Sequence, residues 1–396
     1  MQDATPPPPA DTPADPPPPA PSSDEQARAY ESVHHRLLVA RLLILMVVLA
    51  LYSFSGASVD LATGLASYFG ERWWWTNAAY LLISFLGYSA LLFPLNWYSE
   101  HYIEHRYGLS RQDFNGWVKD HFKGLAIEAP LIVFFFSIIY ALLHASPQSW
   151  WMWTALFYVF FVVLLSTVWP VWIMPLFHTF ERLEPSPLTE AVEQFARRSG
   201  IEVLGVYKWG LEAKTSTANA ALTGIGKTRR IILADTMLNH YSPAEIIAVL
   251  AHEVAHFKHG DLWRLMLMGS TSAVAGFYVA HRMLHAWVGR LPGVDGVADI
   301  GGFPLFVFAL FLFTLLVMPL SNAYSRRREY AADAYAVRAT GSATDLTSAL
   351  NKLAAQNLAN KEPAPWIEFL LHSHPSIARR TAAVQRVAGT QQPTGH

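Results

Sequence analysis

Cysteine is absent from this chain. Its absence excludes a disulfide framework, a thiolate metal site, a cysteine nucleophile and lipid attachment to the protein's own thiols. Any metal must therefore sit on histidines and carboxylates. Charge is scarce as well: 15% of the residues are charged, where a soluble domain carries roughly 25%. The 29 Lys and Arg nearly balance the 30 Asp and Glu, so no broad positive field exists to bind nucleic acid. The N-terminus also lacks the basic start and apolar core of a secretory signal. Instead the first 21 residues hold 10 of the 25 prolines together with Asp3, Asp11 and Asp15. That composition reads as a disordered, polyproline-like tail, open to PxxP docking and expected to stay on the side where it was made.

What the chain has in excess is apolar surface. Of its 396 residues 52% are hydrophobic, including 14 Trp and 23 Phe, and the mean hydropathy is +0.22. Apolar runs near the ~20 residues that a membrane-spanning helix needs occur at 37–57, 79–98, 125–145, 151–175, 262–285 and 302–323. Six spans are expected from them. Trp73, Trp74, Trp75, Trp150, Trp151 and Trp153 bunch at the ends of runs, where amphipathic rings favour the headgroup level. Cations gather before the first span (Arg28, Arg36, Arg41), between the second and third (Arg106, Arg111, Lys119, Lys123) and after the last (Arg326, Arg327, Arg328), while the other loops are nearly bare. Lys and Arg in short loops are retained in the cytoplasm, which predicts that both termini are cytoplasmic.

These features divide the chain into a Pro-rich tail over 1–30, four spans over 31–175, a polar region over 176–261, two further spans over 262–323 and a second polar region over 324–396. With two spans between them the polar regions fall on one face and can build one domain. The fold class expected is mainly α, a polytopic α-helical membrane protein of about six to seven spans with an α+β domain on the cytoplasmic side. Within that domain Leu188–Arg198 reads as an amphipathic helix, and 203–208 and 230–233 as short strands. Ser242-Pro243-Ala244-Glu245 is a capping box with proline at the first helical position. A helix is thus expected from Pro243, running on towards the fifth span.

That helix contains His252-Glu253-Val254-Ala255-His256. At 3.6 residues per turn the two histidines share a face, where both imidazoles can reach one Zn²⁺, with Glu253 beside them to take a proton from water. A catalytic zinc takes a third protein ligand and keeps a fourth position open. His259 lies seven residues from His252, about 10.5 Å of rise, too far for one metal on an unbroken helix. Glu329 and Asp333, four apart on a helix leaving the sixth span, offer a ligand and a hydrogen-bond partner for a ligand imidazole. An exposed face of Arg/Glu/Asp ion pairs would read the same way.

His-Glu-x-x-His followed by Glu329-x-x-Ala332-Asp333 resembles the gluzincin arrangement of the type I CAAX prenyl protease family, membrane zinc metalloproteases. Further stretches are similar in order: Trp169-Pro170, Ile173 to Phe177 and Leu183-Glu184; Ser216 to Gly224; Arg229 to Leu233 with Asp235-Thr236; and His372-Ser373-His374-Pro375-Ser376 with Arg380. The resemblance covers about residues 80 to 390. It implies one Zn²⁺ per chain on His252, His256 and Glu329, Glu253 as general base and acid, and His374 near the scissile carbonyl. It further implies Asp333 and Arg380 behind the site or, for Arg380, on a substrate carboxylate, and Asn219 and Ala220 on an edge strand that pairs with an extended peptide. The implied function is cleavage near the C-terminus of peptides or protein tails, prenylated CAAX sequences among them, at the cytoplasmic face of a membrane, here a bacterial inner membrane. A broad quality-control protease of membrane proteins is the alternative, and a non-catalytic membrane protein with structural zinc a third. The sequence departs from the pattern in its proline tail, in Ala255 where Gly is common, and in its six spans where eukaryotic members have seven.

Overall fold

The computed structural model describes residues 23–224 and 228–390. The proline tract over 1–21, and with it the PxxP reading, lies outside them. Residues 23–30, assigned to the tail from sequence, are instead the first turns of a helix, with Asp24 and Glu25 in its first turn, where carboxylates favour the helix dipole.

The N-terminal half is helical: α1 (Ser23–Phe54), the short α2 (Ala57–Phe69), α3 (Trp73–Trp97), which runs through a π turn at Tyr98–Tyr102 into the one-turn α4 (Ile103–Arg106), then α5 (Phe114–Ala145) and α6 (Trp150–Val168). Leu38, Val39, Leu43, Val47 and Leu51 of α1 are exposed, a surface that only lipid can cover at low cost. The chain then forms β1 (Thr179–Arg182), α7 (Pro187–Arg198), β2 (Val206–Gly210), β3 (Ala220–Thr223), β4 (Arg230–Ala234), α8 (Asp235–His240) and α9 (Pro243–Lys258). It continues through α10 (Asp261–Trp287) and α11 (Phe303–Thr340) and ends in α12 (Ala343–Gln356), α13 (Pro365–Leu371) and α14 (Ile377–Gly389).

Five helical stretches among the described residues are long and apolar enough to cross a bilayer. The sixth expected span, 262–285, forms α10 but falls short of that apolarity. It carries Arg264, His281, Arg282 and His285 and packs against α6 and α11. The two ends of the bundle are distinct. At one end Ser58 Oγ of α2 donates to Gly301 O at 2.6 Å. At the other, Asn360 Nδ2 donates to Glu31 Oε2 at 2.7 Å and Arg111 N to Lys214 O at 2.8 Å. The start of α1, the 107–113 loop and both polar regions therefore share one end, as the charge pattern implied. Tyr80, Tyr140, Trp150, Phe277 and Phe306 seal the far end. Nearer the domain a cavity of about 700 Å³ opens between α3 and α5, lined by Asn96, Glu100, Asp120, His121 and Glu128.

The domain's sheet has the order β1-β2-β4-β3. β2 and β4 are parallel, and β1 and β3 are antiparallel to their neighbours. Ile231 and Leu233 of β4, Val192 of α7 and Ile246, Leu250 and Val254 of α9 build the core beneath it. The capping box on α9 is closed in both directions, Ser242 Oγ accepting from Glu245 N and Ser242 N donating to Glu245 Oε2. The helix does not run into the next span. It stops at Lys258, and Gly260 at φ 63° starts α10 on a new axis.

Glu245 also joins the two polar regions, accepting from Ser348 Oγ at 2.6 Å and Lys352 Nζ at 2.7 Å on α12. Burial works against its carboxylate, yet these donors hold its pKa down, at about 2. Its contribution to stability is complete above the ordinary value of 4.5 and is lost as the pH falls towards 2. Glu245→Gln should lower unfolding stability in denaturant titrations at pH 7 by about 1–3 kcal/mol, and the gap to the parent should narrow below pH 4.5.

Candidate metal centre

The capped α9 packs on the domain end of α11, whose 38 residues run about 57 Å at ~1.5 Å each, well past a ~30 Å hydrocarbon core. The surplus length carries Glu329 and Asp333 out to the histidines. His252 Nε2 and His256 Nε2 lie 3.1 Å apart, and Glu329 is 3.3 Å from the first and 3.4 Å from the second. Both other ring nitrogens face carboxylates at 2.9 Å: His252 Nδ1 meets Asp333 Oδ1, and His256 Nδ1 meets Asp261 Oδ2. With each Nδ1 turned to a carboxylate, both Nε2 atoms face the same point. Glu329 Oε2 is buried and makes no well-aligned hydrogen bond, with His252 Nε2 at 3.3 Å and Arg380 Nη1 at 3.6 Å. Two imidazole nitrogens and a buried carboxylate converging on one point favour positive charge between them, a proton or a metal ion. Imidazole and carboxylate donors fit a divalent metal, and these three residues form a candidate metal cluster.

The titration behaviour agrees with that demand for positive charge. Burial opposes the protonated form of His252, but hydrogen bonds to Asp333 and Glu329 outweigh it and raise the pKa to about 9. His256 is raised in the same way, burial opposing and Glu329 prevailing. Glu253, one residue along from His252, is raised by burial despite the nearby imidazoles. Two arginines anchor the backing carboxylates. Arg380 donates to Asp333 through Nε at 2.9 Å and Nη2 at 2.6 Å, and Arg328 Nε donates to Asp261 Oδ1 at 2.6 Å. Arg380 is buried rather than a surface residue, its Nη2 also 3.3 Å from His252 Nδ1 and its Nη1 3.6 Å from Glu329 Oε2.

The remaining residues singled out from sequence fall around this centre. His374 is exposed, its Nε2 3.4 Å from Glu329 Oε1 and its Nδ1 3.0 Å from Ser373 Oγ. Ala220 begins β3, an edge of the sheet that packs beside α9, and Asn219 immediately precedes it. Asn357 pins that entrance, accepting from Ala218 N at 2.9 Å. His259 caps α9 outside the metal cluster, its ring against Tyr335. Asp261 and Arg328 escaped the sequence reading. The one available signal was Gly260, which turns the chain so that Asp261 faces back to His256.

Comparison with known proteins decides the family. The model for peptidase family M48 matches residues 183–388, and that for the CAAX prenyl protease N-terminal region, with five membrane helices, matches residues 21–179. CAAX prenyl protease 1 of Saccharomyces cerevisiae is 30% identical over 319 residues, covering 74% of this chain and 69% of the relative.

The chain belongs to peptidase family M48.

An uncharacterized Bacillus subtilis metalloprotease, YhfN, is 29% identical over 291 residues, 72% of this chain and 68% of its own. The crystal structure of Ste24p from S. mikatae superposes with a TM-score of 0.80 at 24% identity, over 91% of this chain and 88% of that one, and shares the fold. The protein is thus an integral-membrane metalloprotease.

Removing a carboxylate that orients a ligand histidine costs metal affinity about 10–100-fold. Asp261→Asn, which leaves Arg328 and the α9–α11 contact in place, should show that loss when metal retention is measured against chelators of graded strength.

Proposed function

We infer that the protein is a zinc endopeptidase, with one catalytic Zn²⁺ on His252, His256 and Glu329, that cuts near the C-terminus of prenylated CAAX-type substrates at the cytoplasmic membrane surface. The observation that carries this reading is the half-buried Glu253 on the helix turn that holds the two histidines of the three convergent donors, with the edge strand β3 alongside. Bound there, zinc supplies Lewis-acid polarisation of the scissile carbonyl and acidifies the attacking water.

The chain's own groups do the rest. Glu253, its pKa raised by burial, takes a proton from the water and returns it to the leaving amine. β3 offers backbone N–H and C=O groups from Ala220 onward to an extended peptide, which adds as a further strand. His374 faces the site from the open side, where a ring N–H can meet the oxyanion as it develops. Asp333 and Arg380, with Asp261 and Arg328, hold both imidazoles in one tautomer throughout. The substrate class follows from the likeness to CAAX prenyl protease 1 of yeast. The cytoplasmic face follows from the cations gathered at the domain end of the bundle.

Purified protein should cleave a farnesylated CAAX peptide faster than its unprenylated twin, and Glu253→Gln should slow turnover by about 10²–10⁴-fold while holding its metal. Equal cleavage of both peptides would move the reading to general quality control of membrane proteins. Retained activity in Glu253→Gln would remove the mechanism.

A further inference from the structure

A second set of metal-competent side chains sits at the mouth of the groove that leads to the site. Glu31 and His35 are four apart on α1, hence one turn apart on one face. His372, the residue that ends α13, reaches them from the opposite side. One ligand atom of each lies within 4.8 Å of the others. His372 Nε2 is 3.4 Å from Glu31 Oε1, and the His35 and His372 ring centroids are 5.8 Å apart. An outer partner already orients the Glu31 carboxylate, and another holds the backbone of His372. Asn360 Nδ2 occupies Glu31 Oε2 at 2.7 Å, which leaves Oε1 for the cluster, and Arg326 Nη1 holds the His372 carbonyl at 2.6 Å. Such fixed outer contacts are what convert nearby donors into a site. Glu31, His372, His374 and Asn219 line one groove of about 660 Å³.

We propose that Glu31, His35 and His372 form a second divalent-cation site, of the two-imidazole, one-carboxylate kind that suits Zn²⁺, which clasps α1 to the segment carrying His374. The three residues are half-buried, so an ion there keeps open positions for water and exchanges with solvent. His372 stands two residues before His374, so occupancy ties the membrane helix to the strip of chain that borders the scissile bond.

The full-length protein in detergent, stripped with chelator and dialysed against Zn²⁺, should hold about two metal ions per chain by mass spectrometry. Glu31→Gln/His35→Ala should hold about one, with its helical circular dichroism unchanged, and His252→Ala/His256→Ala should hold the other. In that last background Co²⁺ should still produce ligand-field absorption, and adding Glu31→Gln/His35→Ala should abolish it. No loss of metal from the parent to Glu31→Gln/His35→Ala, or no metal in His252→Ala/His256→Ala, would overturn the proposal and leave an ordinary Glu–His contact. Failure of the catalytic reading shows instead as His252→Ala/His256→Ala losing no metal.

Discussion

Two imidazole nitrogens held 3.1 Å apart beside a buried carboxylate call for positive charge between them, and much of the domain is arranged to meet that demand. Three acidic residues are buried within a few ångströms, Glu329, Asp333 and Asp261. Left unpaired they would be too costly to bury. Arg380 and Arg328 neutralise the two that back the histidines, which leaves Glu329 as the carboxylate whose charge is directed at the metal position. The histidines come from α9, Glu329 and Asp333 from α11, Asp261 from the start of α10 and Arg380 from α14. No single segment builds the centre, so its geometry depends on how four helices pack.

The membrane bundle contributes to that packing directly. α10 and α11 form a hairpin that leaves the domain and returns to it, and its two ends supply Asp261 and the Arg328 to Asp333 stretch. The far end of the hairpin is locked by an aromatic core around Tyr140, Trp150, Phe277 and Phe306, and interiors packed at this density transmit displacement rather than absorb it. The bundle is thus more than an anchor here. The long α11 is the lever that sets Glu329 against α9, and its register is fixed largely inside the bundle.

Much of this was legible from residues alone. Apolar runs and Trp clusters revealed the membrane class, the capping box at Ser242 located the metal helix, and the 3.6-residue period put His252 and His256 on one face and Glu329 and Asp333 on another. The misreadings have local causes. α10 is less apolar than its neighbours because charged and imidazole side chains at its ends reduce the hydropathy of a helix that packs on α6 and α11. The α9 helix was expected to continue because nothing between His256 and His259 breaks it, yet Gly260 does so two residues after its last turn. Residues 23–30 looked like tail because they are polar, but the acidic first turn belongs to α1.

By itself the sequence determined the solvent of each segment, the helices and their caps, and the donor chemistry, since periodicity and capping act over one or two turns and are written in neighbouring residues. The tertiary structure alone decided which partners meet. Asp333 finds Arg380, 47 positions away; Asp261 finds Arg328 at 67; and Glu31 finds His372 across nearly the whole chain. Those pairings depend on the angle and register at which helices pack, and on the free energy of burying charge, neither of which spacing along one strand of sequence can encode.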